Sequence, residues 1–231
     1  MCRSLTSAAL ALVALLPAAR SFAEDFHTRV TVQRSAEDKA AGNSGVVVWL
    51  MPMGASQPQL PVVHPRLVQK NKRFEPHLLV IPVGTVVEFP NEDPFFHNVF
   101  SLYKGKRFDL GLYEAGSSRS VRFDRPGVSF IFCNIHPEMS AAVVVLETPY
   151  YAISDNAGEV TIHNVPSGRY HLEVWYERSS PEALARLARQ ISIPGAGGLP
   201  ALEVPEVIAA GVPHKNKYGQ DYDKPSVYKP D

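Results

Sequence analysis

Cysteine is all but missing from this chain, whose 231 residues hold only Cys2 and Cys133. A scaffold stapled by several disulfides is therefore excluded. Charge of one sign is missing too: 23 Lys and Arg stand against 23 Asp and Glu, and no basic stripe of the kind that binds nucleic acid is visible. Beyond residue 23 no apolar run is long enough to span a membrane. Methionine is scarce at four residues, so one placed close to a cysteine stands out.

The first 23 residues have their own character. Arg3 lies near the start, an apolar stretch runs from Ala8 to Ala19, and Ser21-Phe22-Ala23 closes the segment. This is the layout of a secretory signal peptide cut after Ala23, and its apolar part is too short to be a spanning helix. Cys2 precedes the apolar run, so it is not placed as a lipid acceptor and leaves with the leader. The expectation is a periplasmic or secreted chain that begins at about Glu24. With Arg3 and Arg20 removed and no acid lost, that chain has two more acids than bases. Cys133 becomes its sole thiol, and an unpaired thiol in an oxidising compartment calls for something to hold it; a metal does.

The surroundings of Cys133 supply such a metal with ligands. Cys133-Asn134-Ile135-His136-Pro137-Glu138-Met139 offers a thiolate, an imidazole and a thioether within seven residues, and His97 lies 36 residues upstream of the cysteine. Soft sulfur favours Cu(I), imidazole accepts Cu(I) and Cu(II), and a His2Cys plane with a weak axial Met is a compromise suited to one-electron transfer. Val128 to Phe132 alternates as a strand that delivers Cys133 to a sheet end, Pro137 discourages further pairing, and Ala141 to Leu146 resumes a strand. His97 follows the strand-like Thr85 to Phe89 and the turn-like Pro90 to Pro94. Taken singly, a buried Cys, a loop His and a core Met all have plainer explanations. Their joint spacing between two strands is what points to copper: one ion held by His97, Cys133, His136 and Met139.

Gly84-Thr85-Val86-Val87-Glu88-Phe89 with Asn91, Asp93 and His97-Asn98-Val99, followed by Gly127 to Phe132 with Cys133, His136 and Met139, resembles the cupredoxins over about Phe74 to Leu146. Among them the short ligand loop is most similar to that of amicyanin and more loosely to that of plastocyanin, as in exported methylamine-utilisation or plastocyanin-like proteins. The resemblance implies a Greek-key β-sandwich and a type 1 blue-copper centre. It also implies that Asn98 supports the ligands from behind, tying the ligand loops together near the thiolate. Phe95, Phe96, Phe100, Phe130 and Phe132 are expected to surround the metal with apolar mass.

The rest of the chain reads as a second β unit. Asp155-Asn156-Ala157-Gly158 is a turn, Val160 to His163 a strand, Val165-Pro166-Ser167-Gly168 a second turn, and Tyr170 to Tyr176 an alternating strand. This meander resembles the carboxypeptidase regulatory-like, or transthyretin-like, module, and Val30 to Gln33 with Gly45 to Leu50 fit its missing first half. The expected organisation is all-β: a leader over 1–23, a cupredoxin sandwich over 60–148, a discontinuous regulatory-like module from 27–59 and 149–208 into which the sandwich is inserted, and a tail over 209–231 lying extended or disordered; the alternative is two sequential domains, with the N-terminal strands belonging to the cupredoxin. A short helix is expected from Ser179-Ser180-Pro181-Glu182 to about Gln190, capped by a hydroxyl and opened by proline. His27, His64, His163, His171 and His214 read as ordinary solvated imidazoles, and His77 as structural.

The function these residues favour is a periplasmic carrier of single electrons between redox partners such as a c-type cytochrome and a periplasmic oxidoreductase. The alternative is a copper-binding, delivery or adhesion module in which the metal is cargo or structural. Copper enzymes such as multicopper oxidases and copper nitrite reductases pair a blue site with a second centre, and the chain shows neither a His-Cys-His relay nor His-x-His motifs. On that ground no enzyme is expected.

Overall fold

The computed structural model describes residues 23–34, 42–54, 58–102, 105–194, 199–207 and 214–222. The leader, apart from Ala23, lies outside them. Two strands open the fold, β1 (Ala23–Gln33) and β2 (Val47–Pro52). A small hairpin follows, β3 (Val68–Lys70) with β4 (Arg73–Glu75), and then β5 (Leu78–Pro82), β6 (Val86–Pro90), β7 (His97–Ser101), β8 (Phe108–Tyr113), β9 (Ser118–Arg122), β10 (Gly127–Cys133) and β11 (Ser140–Leu146). The last group is β12 (Tyr151–Ile153), β13 (Glu159–Pro166), β14 (Gly168–Trp175), α1 (Pro181–Ala185), β15 (Arg189–Ile193) and β16 (Leu202–Pro205). The regular structure of the described residues is β apart from one helical turn and a half.

Among the described residues pairing gives five sheets, of which the β3–β4 hairpin is one, and the other four fall into two sets by the cores they enclose. One set forms a five-stranded sheet in the order β5-β11-β10-β7-β8, with β6 and β9 paired beside it. The other forms a three-stranded sheet β13-β1-β16 and a four-stranded sheet β12-β2-β14-β15. The opening strands β1 and β2 therefore pair only with strands that follow residue 150. β1 shows why it sits at a half-buried sheet: Phe26, Thr28, Val30 and Val32 are buried and their neighbours exposed, the two-residue period of a strand with one face in a core.

Each set has its own core. Val30, Leu50, Ile162, Leu172 and Val204 are among the side chains filling one, and Phe89, Val99, Phe123, Ile131 and Val143 among those filling the other. β11 explains how the two meet. Its run Ala141 to Leu146 is buried throughout, as expected of a strand covered on both faces. Ala141, Val143 and Val145 face the core of their own sandwich. Val144 and Leu146 face the other way, onto Val47 with Trp49, Tyr151 and Trp175 alongside. Phe130 and Trp175 approach at 6.4 Å between ring centroids, and the Tyr151 hydroxyl donates to the Val80 carbonyl at 3.3 Å.

One sequence expectation is corrected here. The helix stops at Ala185 instead of reaching Gln190, because Arg189 and Gln190 pair with Leu172 and His171 on the edge of β14; ladder hydrogen bonds outweigh the weak pull of a short isolated helix. The expected cap is present, with the Ser180 side chain accepting from Ala183 N–H at 3.2 Å. Residues 214–222 of the tail do not run free. They pack on the five-stranded sheet, as described below.

His77 also crosses the seam. Its Nδ1 lies 3.0 Å from the Ser140 carbonyl and its Nε2 2.6 Å from the Glu177 carboxylate. The Glu177 hydrogen bond raises the His77 pKa above the usual imidazole value against the opposing effect of burial. The contact thus stabilises the fold in full below about pH 6.5, the unfolded value, and this gain is lost as pH rises through the higher native value. In denaturant titrations the wild type should lose stability relative to Glu177→Gln as pH rises above about 6.5. A stability difference that does not change with pH would assign the contact no such role.

Candidate metal centre

Strand register builds the site. β10 pairs with β7 so that Phe132 lies opposite Phe100 and Cys133 opposite Val99. His97 is two residues from Val99 and so projects from the same face as Cys133. β10 and β11 are joined by the loop that holds His136, closed by Cys133 N–H donating to Met139 O at 3.3 Å and Met139 N–H donating to His136 O at 3.0 Å. Asn134 N–H donates to Asn98 O at 3.0 Å and fastens this loop to β7. His97, Cys133 and Met139 are completely buried; His136 is half-buried.

Three donor atoms converge. Cys133 Sγ is 3.6 Å from His97 Nδ1 and 3.6 Å from His136 Nδ1, and the two nitrogens are 3.2 Å apart. This is the one group of three or more metal-binding side chains among the described residues. With metal bonds of about 2.1 Å to nitrogen and about 2.3 Å to sulfur, a trigonal plane has edges of about 3.6 to 3.8 Å. The triangle has that size, slightly tight along its nitrogen edge, so the residues fit a metal ion. Met139 shares the buried apolar cluster of Cys133, next to this triangle in the loop.

The electrostatics prepare the donors. Burial pushes the Cys133 thiol up, but the His97 imidazole and the backbone N–H groups of Asn98, Ile135 and His136 outweigh it and hold the pKa below its ordinary value. The sulfur is thereby favoured in its metal-binding anionic form. Burial pushes His97 down, yet the Cys133 sulfur and the Asp93 carboxylate carry its pKa above the usual value. His136 is lowered, by burial first and by the neighbouring His97 charge second.

Asp93 is the functional side chain that sequence reasoning did not single out. Its carboxylate lies 2.8 Å from His97 Nε2, which directs Nδ1 at the sulfur and fixes the ring. The carboxylate is held in turn by Asn71 N–H at 2.6 Å and Lys72 N–H at 3.0 Å. Both residues have a φ of 54° in the β3–β4 turn, so this strained turn presents its amides to the anion. Burial raises the Asp93 pKa, and the Lys72, His97 and Asn71 hydrogen bonds more than reverse that. The four-residue spacing from an acid to a candidate His was the available signal.

The aromatic shell differs from the expectation. Phe95 packs against both imidazoles, with centroids 5.3 Å from His97 and 5.6 Å from His136. Phe96 is 52% exposed. Phe130, Phe132 and Phe100 project from the opposite face of the sheet, since alternation sends them away from Cys133 and Val99. The Asn98 side chain leaves on that same far face and donates to Asp109 at 2.7 Å; its backbone, not its amide, ties it to the sulfur and to the ligand loop.

No protein-family model matches the chain, and no curated protein matches it in sequence. Several solved structures are similar to part of it. The copper-containing nitrite reductase of Thermus scotoductus aligns at 28% identity and a TM-score of 0.36 over 42% of this chain, and the alignment spans 26% of that protein. A purple cupredoxin of Nitrosopumilus maritimus aligns at 26% identity and a TM-score of 0.33 over 36% of this chain and 99% of its own. An amicyanin variant in the Cu(I) state aligns at 19% identity and a TM-score of 0.34 over 43% and 98%. These comparisons correct one expectation. An enzyme was set aside for want of a second copper motif, yet one of the similar structures is itself a copper enzyme, so the missing motif does not exclude catalysis.

The Asp93 contact can be tested directly. Asp93→Ala should weaken copper binding by about 10- to 100-fold, the usual effect of removing a partner of a metal-bound imidazole, as read by competition with a chelator. Unchanged affinity would mean that the carboxylate does not orient His97.

Proposed function

We propose that this chain is an exported type 1 copper protein that carries single electrons between redox partners, and that His97, Cys133, His136 and Met139 are the residues that would hold its one copper. The observation that carries this reading is the buried triangle of one sulfur and two imidazole nitrogens with edges of 3.2 to 3.6 Å. Copper bound there supplies a Cu(I)/Cu(II) couple. The residues around it do the rest. Asp93 and the β3–β4 turn hold His97 in one orientation, Asn98 and the loop amides stabilise negative charge on Cys133, and full burial of three ligands excludes water. His136 is the one ligand that reaches solvent. It stands beside exposed Ile135 and Pro137 in the loop, an edge suited to a small, transient redox contact with a c-type cytochrome or a periplasmic oxidoreductase.

The domain plan follows the pairing. Residues 60–148 serve as the copper-binding sandwich, inserted into a regulatory-like module formed by 27–59 and 149–208; the exclusive pairing of β1 and β2 with later strands supports this. The module positions the sandwich. Export rests on the leader Met1 to Ala23, and a periplasmic setting agrees with a lone thiol committed to a metal. Among the described residues no helix is long and apolar enough to cross a membrane.

Copper-loaded wild type should show intense visible absorption from thiolate-to-copper charge transfer and should exchange electrons with a c-type cytochrome in stopped-flow mixing. Cys133→Ser should lose both. Colour that persists in that variant would refute the ligand assignment, and a coloured protein that exchanges with no redox partner would favour copper as cargo. Met139→Gln separates the axial ligand from core packing: it should retain copper and lower the reduction potential, because a harder oxygen donor favours Cu(II). An unchanged or raised potential would mean that Met139 is not bound.

A further inference from the structure

The segment 214–222 reaches the neighbours of all three ligands of the triangle. Behind Cys133, the Tyr222 hydroxyl donates to the Cys133 carbonyl at 2.8 Å, and Lys217 N–H donates to the Asn134 side-chain oxygen at 2.9 Å. Behind His136, the His214 Nε2 lies 2.9 Å from the carbonyl of Pro137. Behind His97, the Lys217 ammonium lies 2.8 Å from the Asp109 carboxylate that receives the Asn98 amide. The His214 ring stacks on Phe132 at 3.8 Å between centroids and 22° between planes, and its Nδ1 is 3.1 Å from the Tyr222 hydroxyl.

These contacts lie on the sheet face opposite the metal. Alternation sends Phe132, Phe100 and Asn98 there, and the module covers that face only further along, where Phe130 meets Trp175. At the ligand end the tail is the cover. The seven-residue loop carries three donors and is held by the three backbone hydrogen bonds given above, two within it and one to β7; the tail adds contacts from behind at Cys133, Asn134 and Pro137.

We propose that residues 214–222 are a clamp that fixes the ligand loop 133–139 from behind, with Tyr222, His214 and Lys217 as positioning residues for the metal centre. The inference rests on the copper reading for its effect on redox properties, and on the loop geometry alone for its effect on Cys133. A hydroxyl with its positive end toward the Cys133 peptide favours the extra electron of the reduced state, so the clamp raises the reduction potential as well as ordering the loop.

Two readouts test it on the full chain. In metal-free protein, alkylation at Cys133, located by peptide mass spectrometry, should be faster on the order of fivefold in Tyr222→Phe, as expected for one lost hydrogen bond. It should be faster still in a chain ending at Pro213, with the thermal midpoint of the fold unchanged in Tyr222→Phe. In copper-loaded protein, Tyr222→Phe should keep its copper and show a lower potential. Alkylation rates equal to wild type in both variants would overturn the clamp, as would an unaltered potential in Tyr222→Phe. A wild type that takes up no copper would defeat the copper reading, while the alkylation comparison would still decide whether the segment restrains the loop.

Discussion

The register between β10 and β7 is the constraint on which the rest of the ligand end depends. With Cys133 opposite Val99, the sulfur and the His97 imidazole emerge on the same side of one sheet and toward one buried space. A slip by one residue would send Cys133 to the far face and bring Phe132 into its place, separating the donors without changing a single residue. The neighbouring pairing of Phe132 with Ala142's strand, through Phe132 and Ser140, then fixes where the ligand loop begins and ends. Metal geometry is thus inherited from the backbone ladder, and the side chains around it refine what the ladder has set.

Legibility from sequence followed chain distance. Cys133, His136 and Met139 occupy one loop, so their donor chemistry and the strands on either side could be read from a few consecutive residues. His97 came into view because it follows a strand and a turn. Asp93 was visible only as part of a similar stretch, since its role needs the amides of Asn71 and Lys72 from a separate hairpin. The phenylalanines were over-assigned because composition does not say which sheet face a residue takes, and only pairing decides that. His214 was misjudged for a related reason: it looks like a solvated imidazole until the face that receives it, at Phe132 and the Pro137 carbonyl, is known. The helix was read too long because its apolar stripe does not register competition from the edge of β14.

The two halves of the molecule are coupled through β11. Val143 and Val145 belong to one core, Val144 and Leu146 to the contact with the other, so a strand that ends the ligand loop also forms the seam. Ser140, which opens this strand, accepts from His77, and His77 in turn meets Glu177. Movement between the halves therefore bears on the same strand whose first residues anchor the metal-binding loop. The half that carries Glu177 thus has a physical route to the loop of Cys133 and His136.

β1 pairs with β13 and β16, strands that lie more than a hundred residues further along the chain. During synthesis β1 lacks the partners it pairs with here until residues 159–166 have been made, and its alternating apolar face awaits them throughout that interval. Closing such a long loop costs entropy before any contact rewards it. The polypeptide consequently belongs with slow, topologically non-local folders, and protection of the nascent N-terminal strand against intermolecular pairing is a demand that its architecture places on the cell.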